Sequence, residues 1–162
     1  MKRLILVRHG KSSWEHDVAD DKRPLIKRGI KDGELIANAF FEKHFNEPAI
    51  IWSSPAERAL ETAKIFKEIL QIEDQDFIIR SGLYTFDKDD LLKQIESCDK
   101  QVQTLMVFGH NPAMTGLVNQ LGNRYFENIP TTGLTVIDFE TDSWKELKNG
   151  KTILNLFPKD LC

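Results

Sequence analysis

Only two cysteines, Cys98 and Cys162, occur among the 162 residues of this chain. They are too few and too far apart in sequence for a disulfide framework or a zinc site, so a reduced, cytoplasmic setting is expected and thiolate catalysis is not. No apolar run is long enough to cross a membrane, and Met-Lys-Arg leads straight into a short apolar segment instead of a signal sequence. Surplus positive charge is missing as well. The net charge of −3 argues against a general nucleic-acid binder, because phosphate backbones are held by excess lysine and arginine. A Gly-x-x-x-x-Gly-Lys loop, a kinase-type signature, internal repeats and a Pro/Gly-rich linker are all absent. Nor is there a run of carboxylates at strand ends to suggest a metal cluster, so no cofactor is expected. What remains is one domain over residues 1–162, with 41% hydrophobic residues and enough length to bury a core.

Apolar runs that read as strands recur near residues 3–8, 49–53, 76–80, 104–108, 134–139 and 152–157. Helical spacing fills the gaps. Ile30, Ala37, Phe40, Phe41 and His44 mark one helix over 27–45, and Ala59, Leu60, Ala63, Phe66 and Leu70 mark a second over 56–70. Shorter helices are expected over 87–97 and 112–121. Strands alternating with helices predict a mostly parallel sheet covered on both faces. The last two runs, separated by Asn149-Gly150, are expected as antiparallel neighbours at one end of it. Ser54-Pro55-Ala56-Glu57 reads as a capping box opening the second helix, and Asn111-Pro112 as another helix start.

Four short words carry chemistry: Arg8-His9-Gly10 closing the first strand, Ser54-Pro55-Ala56-Glu57-Arg58, Gly109-His110-Asn111-Pro112, and Thr131-Thr132-Gly133. A buried strand that delivers an arginine and a histidine to its carboxyl end, with a glycine to let the backbone turn, is how open α/β sheets build sites. Helix amino termini at the same edge favour an anion. Two arginines and two histidines there suit a tetrahedral dianion, since the guanidinium fork matches phosphate oxygens. With no cysteine at hand, His9 is the candidate nucleophile, His110 a donor to phosphoryl oxygens and Arg58 a clamp on transition-state charge.

These residues resemble the histidine phosphatase superfamily, also called the phosphoglycerate mutase-like fold, and within it the small SixA-type phosphohistidine phosphatases. The matching stretches are Leu4 to Ser12, Arg23-Pro24-Leu25 with Gly29, Ser53-Ser54-Pro55 with Arg58, Ala59 and Thr62, and Val107 to Pro112. The resemblance implies a three-layer α/β/α sandwich, a phosphorylated His9, and a phosphate pocket completed by Arg8, Arg58 and His110. Many superfamily members carry an acidic motif that protonates the leaving oxygen. The corresponding stretch here is Gly82-Leu83-Tyr84-Thr85-Phe86, with no carboxylate until Asp87, which reads as a helix start. An alkoxide leaving group needs a proton, whereas a phosphorylated imidazole protonated on its other nitrogen does not. The expected partner is therefore a phosphohistidine-bearing protein. Alternatives are a small phosphate ester, handled by a phosphomonoesterase or mutase, and a phosphoprotein-binding module without turnover.

Lys11, Ser12, Asn111 and Thr132 are further candidates for phosphate or substrate binding, Thr132 as support at the pocket rim. Thr62 is expected to pack or bond back to a carbonyl, and Trp14 to anchor its own loop near the mouth. Lys22, Arg23, Lys27 and Arg28 read as a solvated charge cluster. His16 is assigned to a surface loop and His44 to a helix flank.

Overall fold

Alternation along the central strands decides the layering. In β1 (Lys2–Arg8), Leu4 and Leu6 join one buried cluster while Ile5 and Val7 join another. In β4 (Thr104–Gly109), Leu105 and Val107 side with the first cluster, Met106 and Phe108 with the second. A strand buried on both faces must be covered on both, and four helices do this. The helices α1 (Lys27–Lys43) and α2 (Glu57–Leu70) bring Ile36, Phe40, Ala63 and Phe66 to one face. The helices α3 (Lys88–Glu96) and α4 (Ala113–Leu121) bring Leu91, Ile95, Leu117 and Val118 to the other. The result is the expected three-layer α/β/α sandwich. This computed structural model describes residues 1–15 and 17–161; His16, assigned from sequence to a surface loop, and Cys162 lie outside them.

With β2 (Ile50–Ser53), β3 (Phe77–Ile79), β5 (Leu134–Phe139) and β6 (Lys151–Leu156), the sheet runs in the order β3-β2-β4-β1-β5-β6. The first four strands are parallel, and β5 is antiparallel to both β1 and β6. The carboxyl ends of β2, β4 and β1 are therefore neighbours along one edge. Because β5 runs the other way, the loop that precedes it arrives at that same edge. This is why all four words of sequence meet. No helix among the described residues is long and apolar enough to cross a membrane.

Two local expectations are corrected. The buried side of α1 is Gly29, Asp32, Gly33, Ile36, Ala37 and Phe40, whereas Ile30 and Phe41 are exposed. Small residues let this helix approach its neighbours closely: a Cβ on Gly29 would lie 2.4 Å from the Lys11 carbonyl oxygen. A stripe read from large apolar residues alone is misaligned there. The capping box does not form either. The helix α2 starts at Glu57 with Ala56 as its cap residue and no side-chain cap, while Ser54 Oγ accepts from the Ala56 amide ahead of the helix. Asp87, in contrast, does cap α3, accepting from the Asp90 amide at 3.1 Å.

Candidate active site

The end of β1 is gripped from both neighbours. The His9 amide donates to the Gly109 carbonyl at 3.0 Å, and the Thr132 amide lies 3.0 and 3.1 Å from the carbonyl oxygens of Arg8 and His9. Gly10 has no positive φ, so its smallness serves space, not a special turn. A Cβ there would meet Leu25, Thr132 and Gly29 at 3.1–3.3 Å. The Gly10 amide donates to Thr62 Oγ1 at 2.9 Å, and the same hydroxyl donates back to the Arg58 carbonyl at 2.7 Å. Thr62 thus ties α2 to the loop after β1, in addition to the back-bond expected of it.

His9 is held in one tautomer. Its Nδ1 lies 2.7 Å from the Gly10 carbonyl oxygen, which can only accept, so Nδ1 carries the hydrogen and Nε2 keeps its lone pair. Burial pushes the imidazole pKa down to about 4, with Arg58, Arg8 and Arg23 adding to the effect against the Gly10 bond. At neutral pH His9 is an uncharged nitrogen base among guanidinium groups. His110, at the end of β4, is lowered to about 3, by burial first and then by His9 and Arg58. Its Nε2 is 2.8 Å from Ser54 Oγ, which also accepts from the Ala56 amide. With the Ser54 hydroxyl donating to Nε2, the His110 hydrogen sits on Nδ1, facing other partners; a hydroxyl accepting a second bond there would give the opposite tautomer. Nδ1 of His110 is buried and unpartnered, as are Arg8 Nε and Arg58 Nε. Buried polar groups are rarely left unpaired. These three surround one cavity, and an anion with several acceptor oxygens is the ligand chemistry they lack.

Arg8 is fixed by Nη1 to the Ile129 carbonyl at 2.8 Å, and burial lowers its pKa. Arg58, in the first turn of α2 and only 2% exposed, donates from Nη1 to the Asp20 carbonyl at 2.7 Å and from Nη2 to Asp20 Oδ2 at 3.0 Å. The other candidates separate by place. Lys11 and Ser12 line the cavity, Lys11 exposed and Ser12 accepting from Arg23 at 2.8 Å. Asn111 lines it too, but its amide bridges Thr115 to Asn128 and Ile129, so it holds the start of α4 to that loop. Thr132 is fully buried with φ 60° and lies beneath the lining, which Thr131 supplies instead.

Five side chains in the cavity were missed or misjudged from the sequence. Arg23 is not a solvated charge: it is 7% exposed and bonds Asp20 and Ser12. Only its place in Arg23-Pro24-Leu25 signalled it. Trp14 does not anchor its loop by burial; it is 79% exposed, with its ring 3.6 Å from the Arg23 guanidinium. Tyr84 and Phe86 set their rings 5.3 and 5.5 Å from that of His110. Asp20 accepts from Tyr84, Arg58 and Arg23, and those bonds, Tyr84 foremost, hold its carboxyl at about 2. A carboxylate is thus present, but permanently ionised near neutrality. The cavity holds about 680 Å³ and is open to solvent. Among the described residues no three His, Cys, Asp or Glu side chains converge as a metal-binding set.

Residues 4–84 match the family model of the histidine phosphatase superfamily (branch 1). An uncharacterized protein of Mycobacterium leprae (strain TN) is 27% identical over 159 residues, covering 88% of this chain and 92% of that protein. The crystal structure of the putative phosphohistidine phosphatase SixA from Agrobacterium tumefaciens superposes with a TM-score of 0.80 at 24% identity, over 97% of this chain and 98% of that one. The protein histidine phosphatase SixA complexed with tungstate superposes at 0.82 and 20% identity, over 99% of each chain. At these identities the two structures share the fold with this chain.

Proposed function

The chain belongs to the histidine phosphatase superfamily, a phosphatase and mutase class, and we propose that it is a phosphohydrolase carrying the phosphoryl group on His9 Nε2. The observation that carries this reading is the tautomer of His9: a lone pair on Nε2, fixed by the Nδ1–H bond to Gly10, inside a pocket of arginines. The lone pair attacks phosphorus, the bond to the leaving atom breaks, and that atom keeps the electron pair. Arg8, Arg58 and Arg23, with Nδ1–H of His110, meet the charge spread over the phosphoryl oxygens, Lys11 adding charge at the rim. Water then attacks phosphorus, releasing inorganic phosphate and restoring the His9 lone pair. Ser12 and Asn111 act as positioning residues, through Arg23 and the α4 start respectively, and Thr132 supports the strand end.

The substrate we favour is phosphohistidine on a protein. Asp20 is ionised and Asp87 caps a helix, so neither offers a proton to a leaving alkoxide. A phosphoimidazole protonated on its far nitrogen needs none. An open cavity also admits a side chain presented by a folded surface, in keeping with the named activity of the SixA neighbours. Mixing enzyme with labelled substrate and quenching in base should trap an acid-labile phosphoryl group, absent from His9→Ala together with turnover. Full activity of His9→Ala would overturn the mechanism. Binding of a phosphohistidine peptide without hydrolysis would make the protein a binding module instead.

A further inference from the structure

Asp20 is the one acidic side chain among the described residues lining the cavity, and it sits among arginines. Asp20 braces Arg58 and Arg23, yet beside a phosphate site its charge also repels the ligand. Its surroundings suggest a further role. The side chain is 44% exposed, whereas Arg58 beneath it is 2% exposed and His9 is buried, which places Asp20 toward the mouth and the nucleophile at the floor. A phosphoryl group attacked from the floor releases its leaving group toward the mouth, since attack and departure are in line. A carboxylate accepts about four hydrogen bonds. Three are used here: Oδ2 takes Arg58 Nη2 and the Tyr84 hydroxyl, and Oδ1 takes Arg23 Nε. One acceptor position stays open, on Oδ1. Tyr84 and Phe86, with ring centroids 5.7 Å apart, add flat aromatic surface next to it.

We propose that Asp20 forms the leaving-group subsite, its carboxylate accepting the N–H of a protonated phosphoimidazole while Tyr84 and Phe86 flank the ring. This rests on the phosphohydrolase reading above and adds what selects the substrate. The step balances without proton transfer. The His9 lone pair forms the new N–P bond, and the old P–N bond breaks with its electrons going to the departing imidazole. That ring leaves neutral, still carrying the N–H that Asp20 held. The carboxylate favours the cationic ring before departure and disfavours substrates bearing a second anionic group, such as phosphorylated acids.

The test compares kcat/KM for a phosphohistidine peptide with that for 4-nitrophenyl phosphate, whose leaving group has no N–H. Asp20 also braces Arg58, so the ratio of the two is decisive: any loss through Arg58 lowers both. In Asp20→Asn the ratio should fall about ten- to hundredfold, the range for losing one charge-assisted hydrogen bond. The alkaline limb of kcat for the peptide should also move to lower pH, because removing an anion lowers the pKa of the bound ring. Tyr84→Phe keeps the flanking ring but frees an acceptor position on a more basic Asp20, so it should raise the ratio by a smaller factor, and it carries the test if Asp20→Asn does not fold. Parallel losses on both substrates, with the ratio and the alkaline limb unmoved, would make Asp20 a brace for Arg58 and overturn the proposal. Wild-type enzyme active on the aryl ester yet inert on the peptide would instead overturn the substrate reading.

Discussion

His9 shows how much one hydrogen bond can decide. Its Nδ1–H bond to Gly10 leaves the lone pair on Nε2, the nitrogen proposed as nucleophile, and burial keeps the ring neutral down to a pKa of about 4. The consequence for pH dependence has a definite sign. Protonation consumes the lone pair, so activity is lost as pH falls through the folded pKa. Once the second ionisation of the substrate is divided out, the acid limb of kcat/KM should lie near pH 4; a limb near 6.5 would show an ordinary, solvated imidazole. Stability follows the same linkage. An unfolded chain takes up protons on His9 and His110 below about 6.5 that the folded site refuses until about 4 and 3, so stability falls across that window. Denaturant titrations at pH 7 and pH 5 measure that second effect independently of turnover.

Among the elements, the helix α1 rests on the loop after β1 through Gly29, with the Ile26 amide donating to the Lys11 carbonyl alongside. Alanine normally favours a helix over glycine by about 1 kcal/mol. Gly29→Ala should nevertheless destabilise by about 1–3 kcal/mol, since the new methyl meets backbone at Lys11 and must displace it. Turnover should fall with it, because that backbone continues from His9. At Gly33 the methyl meets only the far end of the Ile65 side chain at 3.0 Å, so Gly33→Ala should be tolerated. Melting curves and kcat for the pair check this; a stabilised, active Gly29→Ala would refute it. The same contrast explains what the sequence revealed. Arg8, His9, Arg58 and His110 were legible because each follows a strand or opens a helix, where apolar periodicity fixes position. Asp20, Tyr84 and Phe86 were not, because they sit in irregular segments whose course depends on partners distant in sequence: Arg58 is 38 residues from Asp20, and Tyr84 is 64. Ser54 misled for a related reason. The helix begins two residues later than the motif implies, and the Ser54 hydroxyl meets the Ala56 amide and a histidine 56 residues away.

At the scale of the whole molecule, a chain of net charge −3 gathers Arg8, Arg23, Arg58 and Lys11 around one open cavity. Field lines of one sign converge there, which on the proposed function draws a phosphate to the cavity over the rest of the surface. Among the described residues the cavity offers no protonated carboxyl, so on the proposed mechanism leaving-group basicity governs the rate. Hydrolysis of phosphoserine peptides and phosphoglycerates should lag that of phosphohistidine by at least about a hundredfold, as general-acid help is typically worth about 10²–10⁴. Equal rates on phosphoserine and phosphohistidine, both collapsing in Asp87→Asn, would show that a proton donor exists after all. The uncovered cavity has a consequence for the fate of the captured group. An enzyme that hands phosphate from one alcohol to another has to shelter its charged histidine while the acceptor turns round. On the function proposed above, an opening wide enough for a protein-borne side chain would also let solvent reach the phosphorylated ring once the partner withdrew. The same openness that widens the choice of donor would leave bulk water as the ready acceptor, and a hydrolase proposed on this site would run one way.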